Sequence, residues 1–156
     1  MIHLEGEITM DNLDRQILGC LIENGRMTAS EISQRVSLSN PAVSERIRKL
    51  ELSGVVDQYS VILNPEKMGK HLTAIMLVSM ERPRYNEGFV SHITSEPEVM
   101  ECHYMAGDFD YVLKIVTTGT ESLEKLLNRI KSVPGVQKTR TTVVLSTVKK
   151  GVTVRP

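Results

Sequence analysis

Residues 28–50, TASEISQRVSLSNPAVSERIRKL, constrain this chain more than any other stretch. Thr28 and Glu31 stand three apart in a T-x-x-E capping box, which opens a helix by satisfying two orphan backbone donors. Ile32 and Val36 follow at inward-facing spacing, and Ser37-Leu38-Ser39 reads as a turn with Leu38 tucked inward. Asn40-Pro41 then opens a second helix. Asn is a good cap, and Pro suits the first helical position, where its missing N–H would be unpaired anyway. Stepping about 100° per residue puts Val43, Ile47 and Leu50 on one face. Pro41, Ser44, Glu45, Arg48 and Lys49 fall on the opposite face, with Arg46 at the border. Two short helices around a tight turn, the second with a basic polar stripe, have the form of a helix-turn-helix. That makes double-stranded DNA the first partner to consider.

The flanking sequence extends this unit. Asp11 caps an earlier helix in which Leu13, Ile17, Cys20, Leu21 and Asn24 recur at helical spacing, widened by Leu18 and Ile22, with Gly25 as a stop. Gly54 ends the third helix, and VVDQYSVIL after it reads as a β-ribbon, the wing of a winged helix-turn-helix. Charge within this half is unevenly placed. Residues 1–62 hold six Lys/Arg against nine Asp/Glu, a balance of −3, and residues 63–156 hold thirteen against ten, a balance of +3. Yet the stretch Arg35 to Lys49 holds four basic residues and one acid, Glu45. Phosphate contacts depend on local charge. A module this weakly attractive gains from assembly, because linked modules bind with avidity.

Residues 64–71, NPEKMGKH, contain Pro and Gly without periodicity and read as a linker. After them the pattern changes. LTAIMLVSM is a near-continuous apolar strand, Tyr85 to Thr94 a helix stopped at Glu96-Pro97, and VMECHYMA and DYVLKIVTT two strands across Gly107-Asp108. Thr120 caps a helix through Arg129 to Val133, Pro134-Gly135 stops it, and VQKTRTTVVLSTVKK is a long last strand. The order βαββαβ is a ferredoxin-like plan, so the chain is α+β. Helices cover one face of such a sheet. A second copy of the same sheet is the obvious cover for the other.

Other classes find little support. No apolar run approaches the roughly 20 residues of a membrane span, and the acidic MIHLEGEITM lacks signal-peptide character. A cytoplasmic location is the expectation. Cys20 and Cys102 form no CxxC pair, and Cys20 continues an apolar stripe. Adjacent Cys102 and His103 point to opposite faces of a strand. His3, His71 and His92 lack metal spacing, and no Ser-His-Asp set or phosphate loop is present. We therefore expect no catalytic or metal site and no cofactor.

At this level of detail the chain resembles the Lrp/AsnC family, the leucine- and asparagine-responsive "feast/famine" transcription regulators. The N-terminal match is LDRQIL, the T-x-x-E helix, SNPAVSERIRKLE and SGVVDQYSVILNP. The C-terminal match is ECHYMAGDFDYVLK and VPGVQKTRTTVVLSTVK. Together they span nearly all of residues 10–150, and a start at Met10 fits the family better than one at Met1. The resemblance implies a winged helix-turn-helix at 11–63 after a 1–10 extension, the 64–71 linker, a ligand-binding and oligomerisation domain of the RAM type at 72–150, and a tail at 151–156. It also implies a prokaryotic, nucleoid-associated regulator of amino-acid metabolism. Such proteins form dimers that assemble further, often to octamers, and bind an amino-acid effector at contacts between dimers.

Two constellations follow. On the DNA side, Asn40, Ser44 and Arg48 are placed to read bases in the major groove, and Arg48 suits guanine. Lys49, Arg46 and Arg35 suit phosphates, as do the N–H groups at Thr28-Ala29. The plain alternative is a solvated polar face with Arg46 and Glu45 paired on it. On the effector side, the loop from Ala106 through Gly107, Asp108, Phe109 and Asp110 to Tyr111 offers N–H groups for a carboxylate and carboxylates for an ammonium. Gly135 and Val136 lie in a second loop, with the Thr139 and Thr141 hydroxyls beyond it. Tyr104, Met105, Met100 and Val144 favour an apolar side chain. The plain alternative is a common Gly-Asp turn capped by Asp110. Two other functions share the architecture: a siroheme-decarboxylase-like enzyme, and a DNA-silent modulator of a paralogous regulator.

Overall fold

A computed structural model describes residues 9–156 and divides the chain into two compact units, one reaching to Val61 and including Lys150–Pro156, the other spanning Ile62–Lys149. The extension expected over residues 1–10 lies outside the described residues except for its last two positions.

The N-terminal unit holds three helices, α1 (Asn12–Glu23), α2 (Ala29–Val36) and α3 (Asn40–Leu52). Asp11 and Asp14 form a reciprocal capping box on α1, and Thr28 with Glu31 does the same on α2. Ser37 takes the left-handed conformation at φ 54°, which turns the chain sharply toward α3. Ser39, not Asn40, is the N-cap of α3: its hydroxyl accepts from the Ala42 N–H, and Asn40 and Pro41 are already helical. Both residue types cap well, so spacing alone left the position open by one residue. Ile17, Leu18, Cys20, Ile32, Val36, Val43 and Leu50 form the buried core.

The wing is a correction. Residues 55–63 contain no strand. Val55 and Val56 turn back onto the helical core, where Val56 N–H donates to Leu50 O, and the Tyr59 hydroxyl donates to Glu51. The following Val61, Ile62 and Leu63 are exposed. Apolar alternation licenses a strand only where a second backbone supplies the ladder, and no strand pairs with this run among the described residues.

The second unit is a four-stranded antiparallel sheet in the order β2-β3-β1-β4, with β1 Leu72–Met80, β2 Val99–Tyr104, β3 Tyr111–Thr117 and β4 Val136–Val143. Helices α4 (Asn86–Ser95) and α5 (Thr120–Lys131) complete the ferredoxin-like βαββαβ order. The last strand is shorter than its sequence pattern, which ran on to Lys150. The expected linker contains a 3₁₀ turn at Glu66–Met68, held by Asn64 Oδ1, which accepts from Glu66 N–H. Gly119 occupies the cap position assigned to Thr120.

The near-continuous apolar character of β1 has two causes, one per face. Ala74, Met76, Val78 and Met80 point to the helices and are buried with Tyr111, Leu113, Ile115, Phe89, Leu126 and Ile130. Thr73, Ile75, Leu77 and Ser79 point the other way and are only half-buried. Register places Ile75 beside Lys114 and Thr142, and Leu77 beside Val112 and Arg140. Neither α4 nor α5 covers this second face.

Candidate DNA-reading and ligand-binding sites

Helix α3 presents its expected faces. Val43 and Leu50 are buried, Ile47 is half-buried, and Asn40, Pro41, Ser44, Glu45, Arg48 and Lys49 are exposed. The exposed set therefore keeps Asn40, Ser44, Arg48 and Lys49 together on one helix surface. The basic residues differ in what already holds them. Arg46 bridges from α3 to the start of α1, with Nη1 2.7 Å from Asp14 and 2.9 Å from Asp11. Its side chain is 31 % exposed, and its guanidinium joins two helices instead of pairing with Glu45. Arg35 reaches Glu23 at 2.6 Å. At Thr28 both the N–H and the hydroxyl donate to Glu31, so this N–H is committed to the cap.

Arg48 is held by Glu45. Its Nε donates to Oε2 at 3.0 Å and its Nη2 to Oε1 at 2.8 Å, a two-point fork one helical turn apart. The Arg48 guanidinium in turn holds the Glu45 carboxyl below the usual glutamate range, and Lys49 Nζ stands 3.9 Å from Oε1. Sequence reading named Arg48 but passed over Glu45 as a DNA-side residue. The signal was present in the i, i+3 spacing.

In the second unit, the end of β1 anchors both expected ligand loops. Met80 N–H donates to Asp110 Oδ2 at 2.6 Å, Asp110 N–H donates to Val78 O, and the Ser79 hydroxyl donates to Asp108 O. On the other flank Met80 pairs with Val136, and Glu81 N–H donates to Gly135 O at 2.7 Å. Gly135 has φ +87°, and a Cβ there would run into the Tyr85 side chain, so glycine is required. Gly107 has φ +143°.

The two aspartates are not equivalent. Asp110 spends an oxygen on the turn, as the plain reading expected. The Asp108 carboxylate has no partner among the described residues, and neither do the N–H groups of residues 106–109. Phe109 lies under Lys138 and Arg140, whose charged groups are 5.6 and 5.5 Å from its ring centre. Thr139 and Thr141 sit on β4 opposite Val78 and Met76. Tyr104 lies on β2, at the far edge of the sheet, with its ring 5.2 Å from that of Tyr111. It borders a separate cavity of about 420 Å³ with Met100, Cys102 and Val90. One chain thus brings together Asp108, Asp110, Gly135 and Val136 but leaves Tyr104 apart from Thr139 and Thr141.

No helix among the described residues is long and apolar enough to cross a membrane, and they contain no cluster of metal-ligating side chains.

Residues 10–51 match the AsnC-type helix-turn-helix domain, and residues 73–154 match the Lrp/AsnC ligand-binding domain. The chain belongs to the Lrp/AsnC family of transcription regulators, with a helix-turn-helix DNA-binding domain followed by a ligand-binding domain. Among similar proteins, the HTH-type transcriptional regulator FL11 of Pyrococcus horikoshii is 36 % identical over 92 % of this chain and 94 % of its own length. The leucine-responsive regulatory protein of Klebsiella pneumoniae is 38 % identical over 90 % of this chain and 88 % of its own. A solved transcriptional regulator from Neisseria meningitidis, in complex with L-Met, superimposes with a TM-score of 0.89 at 34 % identity, covering 94 % of this chain and 96 % of that one.

Proposed function

We propose that this regulator reads DNA with α3 and changes its assembly or DNA affinity when an apolar amino acid binds the second unit. The observation that carries the ligand reading is the end of β1. There the unpartnered Asp108 carboxylate and the free N–H groups of residues 106–109 offer the two halves of a zwitterion site: an acceptor for the ammonium and donors for the carboxylate. The similar Neisseria protein was solved with L-Met. Asp110, Gly135 and Val136 frame the site. Ala106 lies in the loop itself, whereas Tyr104, Thr139 and Thr141 come from positions that one chain does not gather, which supports a ligand held between copies.

The same reading assigns residues 11–63 to DNA, 64–71 to the connection, 72–150 to ligand binding and assembly, and 151–156 to a tail. Two copies pack through the uncovered sheet face, and dimers join into octamers. The ligand shifts this equilibrium only through unequal affinity for two assembly states. Base contacts come from Asn40, Ser44 and Arg48, and phosphate contacts from Lys49. Arg35 and Arg46 contribute mainly by holding the helices.

Calorimetric titration with L-methionine, L-leucine and L-glutamate tests the site. The two apolar amino acids bind, L-glutamate does not, and Asp108→Ala removes the signal. Binding that survives Asp108→Ala places the ligand elsewhere.

A further inference from the structure

We infer that Glu45 is a positioning residue for DNA reading: it grips the side edge of the Arg48 guanidinium and turns the opposite fork toward the bases. This rests on the assignment of α3 as the DNA-reading helix.

A guanidinium carries five N–H groups on two usable edges. Glu45 occupies the edge formed by Nε and Nη2. Both hydrogens of Nη1 and the second of Nη2 remain, and one from each nitrogen forms the end-on fork. That fork matches O6 and N7 of guanine in the major groove. A free Arg48 would sample many rotamers and engage phosphates as readily as bases. A gripped Arg48 presents one edge in one direction, so less side-chain freedom is lost on reading a base.

Glu45 also carries a charge that phosphates repel. Both side chains are about half exposed, so in water the pair is weak. Against DNA, an unpaired Glu45 carboxylate near phosphates is unfavourable, and the pairing with Arg48 tightens as water leaves. The same carboxylate, 3.9 Å from Lys49, offsets part of the local positive charge. Glu45 should therefore lower affinity for arbitrary sequence while sharpening the preference for one base. A residue that only braced the helix surface would do neither.

Three single variants and one double variant separate charge from grip. Each full-length protein is used to select from a pool of randomised DNA duplexes, and affinity for the unselected pool is measured in parallel. Wild type enriches a motif with a guanine favoured by about tenfold or more, and Arg48→Ala loses that position. Glu45→Gln binds the unselected pool several-fold more tightly and loses most of the same guanine preference. Glu45→Asp keeps the charge but is one methylene too short for the fork. It binds the unselected pool within about twofold of wild type yet loses the guanine preference like Glu45→Gln. Adding Glu45→Gln to Arg48→Ala changes base preference no further. Full guanine preference in Glu45→Gln or Glu45→Asp overturns the inference. So does a loss at a position other than the one Arg48→Ala loses, which would make Glu45 a base reader in its own right. If wild type enriches no motif at all, the DNA assignment of α3 fails first and the inference falls with it.

Discussion

Three arginines of the N-terminal unit look alike in sequence and differ in work. Arg46 is tied to two aspartates across a helix junction, Arg35 to one glutamate on the neighbouring helix, and Arg48 to a carboxylate on its own helix. Removing Arg46 leaves Asp11 and Asp14 facing one another at the start of α1. Arg46→Ala should lower stability by up to about 1 kcal/mol. Arg48→Ala should change it by less than about 0.5 kcal/mol, because both members of its pair are exposed. Chemical denaturation of the two variants checks the contrast. Equal losses would mean that Arg48 braces the fold. Residue types and periodicity made these positions visible as a basic stripe. They could not reveal that Arg46 bends back to α1, because its partners lie more than thirty positions away in the chain.

Among the elements, α4 and α5 are joined by a second such tie. Arg129 of α5 donates twice to Glu96 at the C-terminus of α4, at 2.9 and 2.8 Å. The guanidinium holds the Glu96 carboxyl below the ordinary glutamate value of 4.5, assisted by the nearby His92. A carboxyl depressed in the folded state favours folding at pH values above 4.5, and that contribution disappears as pH falls through the folded value. Unfolding of wild type and Glu96→Gln should therefore differ most at neutral pH and converge as pH falls below 4.5 and through the folded value. A constant difference across that range would contradict the linkage. Elements with strong local signals were legible: the Asp11 cap, the Thr28–Glu31 capping box, the glycine stops and the near-continuous apolar run of β1. The wing was misread because its apolar residues have no strand beside them among the described residues. The long last strand was misread because its pattern runs past the point where β1 stops offering a partner. Pairing is a property of two segments, and periodicity describes one.

At the scale of the whole molecule, one sheet face bears Ile75, Leu77, Val112 and Val116 on the two central strands, with Lys114 between the two valines and paired to Glu101 of β2 at 2.6 Å, and with Arg140 on the opposite edge strand. Aliphatic side chains around one lysine that is already paired, with further charge on an edge strand, suit an interface. A second copy covering it predicts that Leu77→Asp, which buries a charge at the centre, shifts the protein toward monomer in sedimentation velocity. An unchanged assembly would place the contact on another surface. The candidate ligand site was legible as loops, through Gly107, Asp108 and Gly135, but the separation of Tyr104 from Thr139 and Thr141 within one chain was not. Only the strand order shows that Tyr104 and the two threonines sit on opposite edges.

In the proposed function, α3, through Arg48, brings an amino-acid-responsive assembly to specific DNA. Genome-wide mapping of DNA occupancy tests it most directly, comparing wild type with Arg48→Ala, each with and without an amino-acid mixture. Wild type should occupy discrete sites whose occupancy shifts with the mixture, and Arg48→Ala should lose those sites while still assembling. Identical maps for the two proteins, or wild-type occupancy no different from random fragments, would contradict the account.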